Sequence, residues 1–368
     1  MKIAARKTVT LRDVAALAGI DKATASRALN GKGYISPQTR EAAHKAAREL
    51  GFEPDLHAQR LAKGRNHNIV GLLSASDLGV GSQQASFLQH RLDESGFEVE
   101  LHSTPLYVSH FVERQVALVN KVRRQQPGAI ICEASLAPEA LEELRIFIKE
   151  GGFVVGHGEA VALDCDQVLF EGEHRAYMAA RHLIELGHRE ISFCFHGPVS
   201  TTEGYFVGFK RALEESGLTP RAEWLFAGGK YEAGGARLAE AFLQWPQRPT
   251  GLCIINDVSA STFVTTLARR GLSVPRDVSV VGFDDAPAAR YALVPLSTVS
   301  YPIEPIGRQV VEFIKSRFAG FDGPSRQVSI CSQLIVRESS ARVERAENDP
   351  NPPSFATVEE PAFKSSRN

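Results

Sequence analysis

Lys22, Ala23, Ser26 and Arg27 recur at a spacing that places them together on the outward side of one short helix, opposite Ala25, Ala28 and Leu29. A row of cations and small polar groups on so short an element is the chemistry of a polyanion reader rather than of catalysis. The charge of the surrounding chain agrees. Residues 1–66 carry 13 Lys/Arg against 6 Asp/Glu, whereas the remaining residues carry 29 against 37, so an overall net charge of −1 conceals a basic head on an acidic body.

The elements that must hold those residues are legible. Thr10 and Asp13 form a capping-box-like pair at the start of a first helix. Val14, Ala15, Leu17 and Ala18 supply its expected buried side, and Gly19 stops it. Asp21 caps the second helix, which runs from Lys22 to Leu29, and Ser36-Pro37 opens a third that reaches about Leu50 and closes at Gly51. Two short helices joined by a turn around glycine, the second exposing basic residues, describe a helix-turn-helix whose second helix enters the DNA major groove. Beyond it, Pro54 and Gly64 bracket about two helical turns that are marginal alone and should form only when held by something else.

Three runs carry a family likeness: Thr10-Leu11-Arg12-Asp13-Val14-Ala15-Ala16-Leu17-Ala18-Gly19, Ala23-Thr24-Ala25-Ser26-Arg27-Ala28-Leu29-Asn30 and Ile35-Ser36-Pro37-Gln38-Thr39-Arg40. Together they resemble the head of the lactose-repressor (LacI/GalR) family, in register for more than fifty residues. The resemblance implies base-edge contacts from Lys22, Ala23 and Arg27 and backbone contacts from Thr10, Thr24, Ser26 and Asn30. Tyr34 and Ala58 complete the implied DNA set, and residues 55–62 become a hinge helix whose Leu61 wedges into the minor groove. These roles suit the side chains: arginine reads guanine through two hydrogen bonds, hydroxyls and amides suit phosphate, and an apolar wedge unstacks a base step. Departures are informative. Asp21 stands where the family usually has Ser or Thr, Asp55 where it has Asn, and Ala23 is too short to hydrogen-bond a base.

From residue 67 onward, apolar runs alternate with helical segments. The runs are 69–73, 129–132, 153–155, 191–195, 252–255 and 278–283, and the helices include Ala176–Leu186 and Ser259–Arg270. Such a pattern specifies parallel sheets covered on both faces. The expected fold class is therefore α/β, with a small all-α helix-turn-helix head and a two-lobed doubly wound parallel-sheet body, like type I periplasmic binding proteins. Its ligand cleft should lie at the carboxyl ends of the strands. Expected divisions are 1–52 for the head, 53–66 for the hinge, 67–340 for the effector and dimerisation domain, and 341–368 for a polar, proline-bearing tail that should be disordered. By analogy one lobe comprises 67–162 with 297–325 and the other 163–296 with 326–340.

The likeness to the family continues in His182–Arg189, Asn256-Asp257, Gly271–Asp285 and Pro295–Val299, covering roughly 8–340 with the head. It implies that Asp284, at a strand end, accepts sugar hydroxyls, and Asn256 is similarly placed; Asp257 reads as the cap of a helix starting at Val258. Many sugar-responsive members have arginine three residues before the pair that is Gly208-Phe209 here, but this chain has Tyr205. An Asp-Asn pair usual upstream of Ala176–Leu186 reads Phe170-Glu171. Tyrosine cannot clamp a carboxylate or hydroxyl pair bidentately, so Tyr205, Asn256 and Asp284 are expected to hold a sugar or a less polar metabolite, and sugar phosphates and dicarboxylates to bind poorly.

Five dispersed cysteines without a Cys-x-x-Cys pair read as core hydrophobes in a reducing compartment, and His157, His196 and the other histidines lack metal-ligand spacing. No cofactor or metal is expected. The N-terminus shows no apolar leader and the chain no membrane-length run, which places it in the cytoplasm. No leucine heptad for a tetramer is present, so a homodimer on pseudo-palindromic operator DNA is the expected assembly. Competing readings are an enzyme on the same sheet, for which no phosphate loop, dinucleotide fingerprint or nucleophile elbow is found; a solute receptor, which would have no use for the head; and a regulator answering to a protein partner.

Overall fold

The computed structural model describes residues 9–29, 34–50, 52, 66–74, 80–103, 110–133, 136–195, 203–229 and 231–343. Asn30, Asp55, Ala58 and Leu61, the hinge and the tail from residue 344 lie outside the described residues.

In the head, helices α1 (Leu11–Leu17), α2 (Lys22–Leu29) and α3 (Pro37–Leu50) pack around Val14, Ala15, Ala25, Ala28, Ala43 and Ala46. Small residues suffice because the helices approach closely. Thr10 N and Oγ1 both donate to Asp13 Oδ2, at 2.8 and 2.7 Å, and the Ser36 hydroxyl accepts from Thr39 N at 3.2 Å ahead of Pro37. Leu17, expected inside, is 51% exposed. It falls two residues past Ala15, which turns it to the far side of the helix from that buried alanine.

The body holds two six-stranded sheets, ordered β11-β5-β4-β3-β1-β2 and β12-β10-β9-β8-β6-β7. The first contains β1 (Asn66–Ser74), β2 (Glu98–Ser103), β3 (Pro127–Glu133), β4 (Phe153–Gly158), β5 (Asp166–Leu169) and β11 (Gln327–Ser329). The second contains β6 (Ile191–Phe195), β7 (Leu225–Ala227), β8 (Gly251–Ile254), β9 (Ser279–Asp284), β10 (Ser297–Ser300) and β12 (Leu334–Ile335). Their pairings are parallel except β10 with β12.

Helices cover both faces of each sheet. In the first lobe, α4 (Val80–Glu94) and α12 (Ile303–Phe318) lie on Val70, Leu72 and Val155, while α5 (Phe111–Arg124) and α6 (Pro138–Lys149) cover Leu73, Ile130 and Val154. In the second, α7 (Gly172–Glu185) and α8 (Glu203–Glu214) cover Phe193 and Val281, and α9 (Tyr231–Gln244) with α10 (Asp257–Arg269) covers Leu252 and Val280; a single turn, α11 (Pro287–Arg290), follows β9. Cys132, Cys165, Cys194 and Cys253 are buried in these cores, and burial pushes the thiols of Cys165 and Cys194 up to about 12. Cys331 is exposed.

The six expected strands all form, but the lobe boundaries shift. β5 and β11 belong to the first sheet and β10 to the second, the reverse of the expected assignment. The chain changes lobe after these strands, at 170–171, 301–302 and 330–333, because a parallel strand delivers the chain to its carboxyl end, which is where the two lobes meet. No helix among the described residues is long and apolar enough to cross a membrane.

Candidate functional site

On the head, Lys22, Ala23 and Arg27 are exposed, Ser26 and Thr24 are half-buried, and Tyr34 is 99% exposed just before α3. The structure therefore brings the row on α2 to one surface. Asp21 is more than an end signal: its Oδ1 accepts from Thr24 N at 2.9 Å and its Oδ2 from the Thr24 hydroxyl. Those hydrogen bonds hold its carboxyl below the ordinary range, so Asp21 stays anionic and Thr24 is occupied by it. Arg27 lies back along its own helix, with Nε 3.4 Å from the Ala23 carbonyl oxygen.

The second site is a cleft of about 180 Å³ between the lobes. Val80 and Gly81 at the start of α4 face residues of the second lobe, among them Arg175, Tyr205, Tyr231, Asn256 and Asp284, with Phe170 and Tyr301 from the passages between lobes. All three residues expected to meet an effector thus line it, in arrangements the sequence did not specify.

Tyr205 is buried, packs edge-on against Phe283 with centroids 5.6 Å apart, and accepts a hydrogen bond at its hydroxyl from Arg175 Nη1. Burial pushes that phenol up to about 12. Asp284 Oδ1 accepts from Arg175 Nη2 at 3.0 Å, and the same nitrogen donates to the Val299 carbonyl at 3.0 Å. Asp284, the last residue of β9, and Asp285 after it have φ of +111° and +55°, values that side-chain-bearing residues adopt only when neighbours hold them. The neighbours here are Arg290 at 2.7 Å and Arg337 at 2.5 Å on the Asp285 carboxylate.

Asn256 caps α10: its Oδ1 accepts from Ser259 N at 3.1 Å, so that oxygen is committed to the helix end. Asp257, expected as the cap, instead begins the helix and points inward. Its oxygens accept from Ala286 N at 2.9 Å and from the Thr298 hydroxyl at 2.7 Å, and Gly282 leaves the room, since a Cβ there would lie 2.2 Å from Asp257 Oδ1. Burial, then the neighbouring charge of Asp284, raises its pKa well above the ordinary value.

The residue that sequence reasoning missed is Arg175. It enters the cleft from α7 beside Tyr205, is 1% exposed, and is the largest fully buried side chain described. One signal could have found it. Gly172, Ala176, Ala179 and Leu183 mark the buried stripe of that helix, and Arg175 falls on the stripe, where a charge demands a partner. Two glycines let the contact form: a Cβ at Gly172 would meet the Tyr205 ring at 2.6 Å, and one at Gly208 would meet the Glu173 carbonyl oxygen at 1.8 Å. Among the described residues no group of His, Cys, Asp and Glu is arranged to hold a metal ion.

Residues 10–55 match the profile of the lacI family of bacterial regulatory proteins, and residues 180–340 that of a periplasmic binding protein-like domain. The chain is 28% identical over 335 residues to the HTH-type transcriptional repressor PurR of Erwinia tasmaniensis, covering 90% of this chain and 97% of that one. PurR of Haemophilus influenzae is 27% identical over 338 residues, covering 90% and 98%. Among solved structures, a complex of the transcriptional regulator CelR with cellobiose aligns at TM-score 0.65 and 25% identity over 90% of this chain and 100% of that one. The lac repressor dimer bound to operator and the anti-inducer ONPF aligns at TM-score 0.76 and 24% identity over 91% and 100%, a likeness of fold.

Proposed function

This chain belongs to the lacI family of bacterial regulatory proteins, and on that basis we propose that it is a cytoplasmic, homodimeric repressor whose grip on operator DNA is set by a small molecule in the cleft between its lobes. The observation that carries the reading is the pairing, on one chain, of an exposed Lys22-Ala23-Arg27 row on a capped second helix with a cleft lined by Tyr205, Asn256 and Asp284. The contacts of Thr10, Thr24, Ser26, Asn30, Tyr34, Ala58 and Leu61 with DNA belong to the same proposal, as does the division into head, hinge, body and tail.

The effector is a small, uncharged, hydrogen-bonding molecule such as a sugar. The cellobiose complex of CelR supports that class, and so does the charge of the cleft. Arg175 is already neutralised by Asp284, so an added anion gains little from the one and is opposed by the other. An effector acts only through a difference in its affinity for the two lobe arrangements, and the passages at 170–171 and 301–302 are where such a difference would be transmitted to the head.

A reporter fused to the promoter beside the gene tests the repressor reading. Deleting the gene should raise expression, and restoring it with Arg27→Ala should not lower it again. Expression that falls on deletion would make the chain an activator.

A further inference from the structure

Arg175 has more partners than a space-filling side chain needs. Its guanidinium carbon lies 5.1 Å from the Phe170 ring centroid, 5.6 Å from Phe283, 5.7 Å from Tyr205 and 5.9 Å from Tyr301. Phe170 and Tyr301 pack edge to face with centroids 4.7 Å apart. Four rings within cation–π range and a carboxylate at 3.0 Å make a receptor for a planar cation, and here the cation is the chain's own.

The placement also has a mechanical meaning. Phe170 and Tyr301 stand on two of the passages between lobes, and Val299, whose carbonyl takes one of the hydrogen bonds, is the penultimate residue of the strand leading into the second. Arg175 therefore ties α7 and the end of β9 to the segments about which the lobes must turn. One guanidinium N–H is left unsatisfied: Nε is buried and has no hydrogen-bond partner among the described residues.

We infer that Arg175 is an intramolecular ligand of the effector cleft, filling an aromatic–carboxylate box for a guanidinium-type cation and fixing the course of the inter-lobe passages before any effector arrives. The structural part stands alone, whereas the link to DNA affinity rests on the repressor reading above.

The test uses the full chain and methylguanidinium as probe. Arg175→Ala should melt below wild type, and millimolar methylguanidinium should raise its melting temperature, while urea, of similar shape but uncharged, does not. Wild type and Arg175→Lys, whose boxes are filled, should not respond. If Arg175→Ala does not fold alone, the same comparison is read as recovery of folded protein on refolding with methylguanidinium against urea. Operator affinity of Arg175→Ala should differ from wild type by about tenfold or more and return towards it with methylguanidinium. The inference is overturned if recovery is not selective for the cation, if wild type responds equally, or if operator affinity is indifferent to the substitution. Failure of wild type to bind any operator would remove the repressor reading and leave the melting comparison to decide the rest.

Discussion

Arg27 rests along its own helix, its Nη2 3.5 Å from the Thr24 hydroxyl, so it must swing outward to reach a base. That would cost little, because the hydrogen bonds it leaves are long and exposed, and the proposed bidentate contact with guanine would replace them. Arg27→Ala should weaken operator binding by about 1–3 kcal/mol and relax preference at one base pair, while Lys22→Ala shifts preference elsewhere in the half-site. Fluorescence anisotropy on single-base operator variants reads both effects. In the cleft, Asp284→Ala strands the buried Arg175 charge and should destabilise the fold by about 3–5 kcal/mol, well beyond Tyr205→Phe, which removes only a neutral acceptor. Denaturant unfolding of the two variants side by side checks the order. At this scale the sequence was a partial guide. Tyr205, Asn256 and Asp284 were legible as cleft-lining through the family resemblance, with Asn256 and Asp284 also marked as the ends of apolar strand runs. Arg175 was not, because its meaning depends on a partner 109 residues away across the sheet.

Helices α7 and α8 meet through glycine. With the Gly208 Cα against the Glu173 carbonyl oxygen there is no room for a methyl group, and Gly208→Ala must push the helices apart, carrying Tyr205 off Arg175. An overpacking cost of about 1–3 kcal/mol is expected, read as a lower melting temperature. The C-terminal segment is fastened by histidines. His188 Nε2–H donates to the Ala341 carbonyl at 3.1 Å while Nδ1 accepts from the Thr250 hydroxyl at 2.9 Å, and His182 Nε2 pairs with the Ser340 hydroxyl at 2.8 Å. Burial lowers the His188 pKa to about 4 from an ordinary 6.5. Between those values the unfolded chain binds the extra proton, so stability is complete above pH 6.5 and is lost as pH falls towards 4. Melting temperatures across that window should fall for wild type and fall less for His188→Gln. In the hinge, Leu61→Ala should weaken binding to the specific site far more than to random DNA, since an inserted wedge needs the bent site to act on. Equal losses on both would remove that role. Among the elements, long apolar runs such as 278–283 declared themselves as strands, whereas β5, β10 and β12 are short or polar and take their conformation from neighbouring strands. The lobe boundaries were misjudged for the same reason, since only pairing assigns those strands to a sheet.

Across the whole molecule, a basic head on an acidic body confines DNA attraction to the head, and a two-fold dimer would present two such heads to one duplex. The cleft proposed for the effector lies where the chain changes lobe, so closure about a ligand would alter the lobe angle and, in a dimer, the separation of the heads. Binding-site selection with the purified full chain tests the account most directly. It predicts a pseudo-palindrome with half-site centres about one helical turn apart, and loss of one conserved position in each half-site with Arg27→Ala. An asymmetric motif, or no enriched sequence at all, would contradict it.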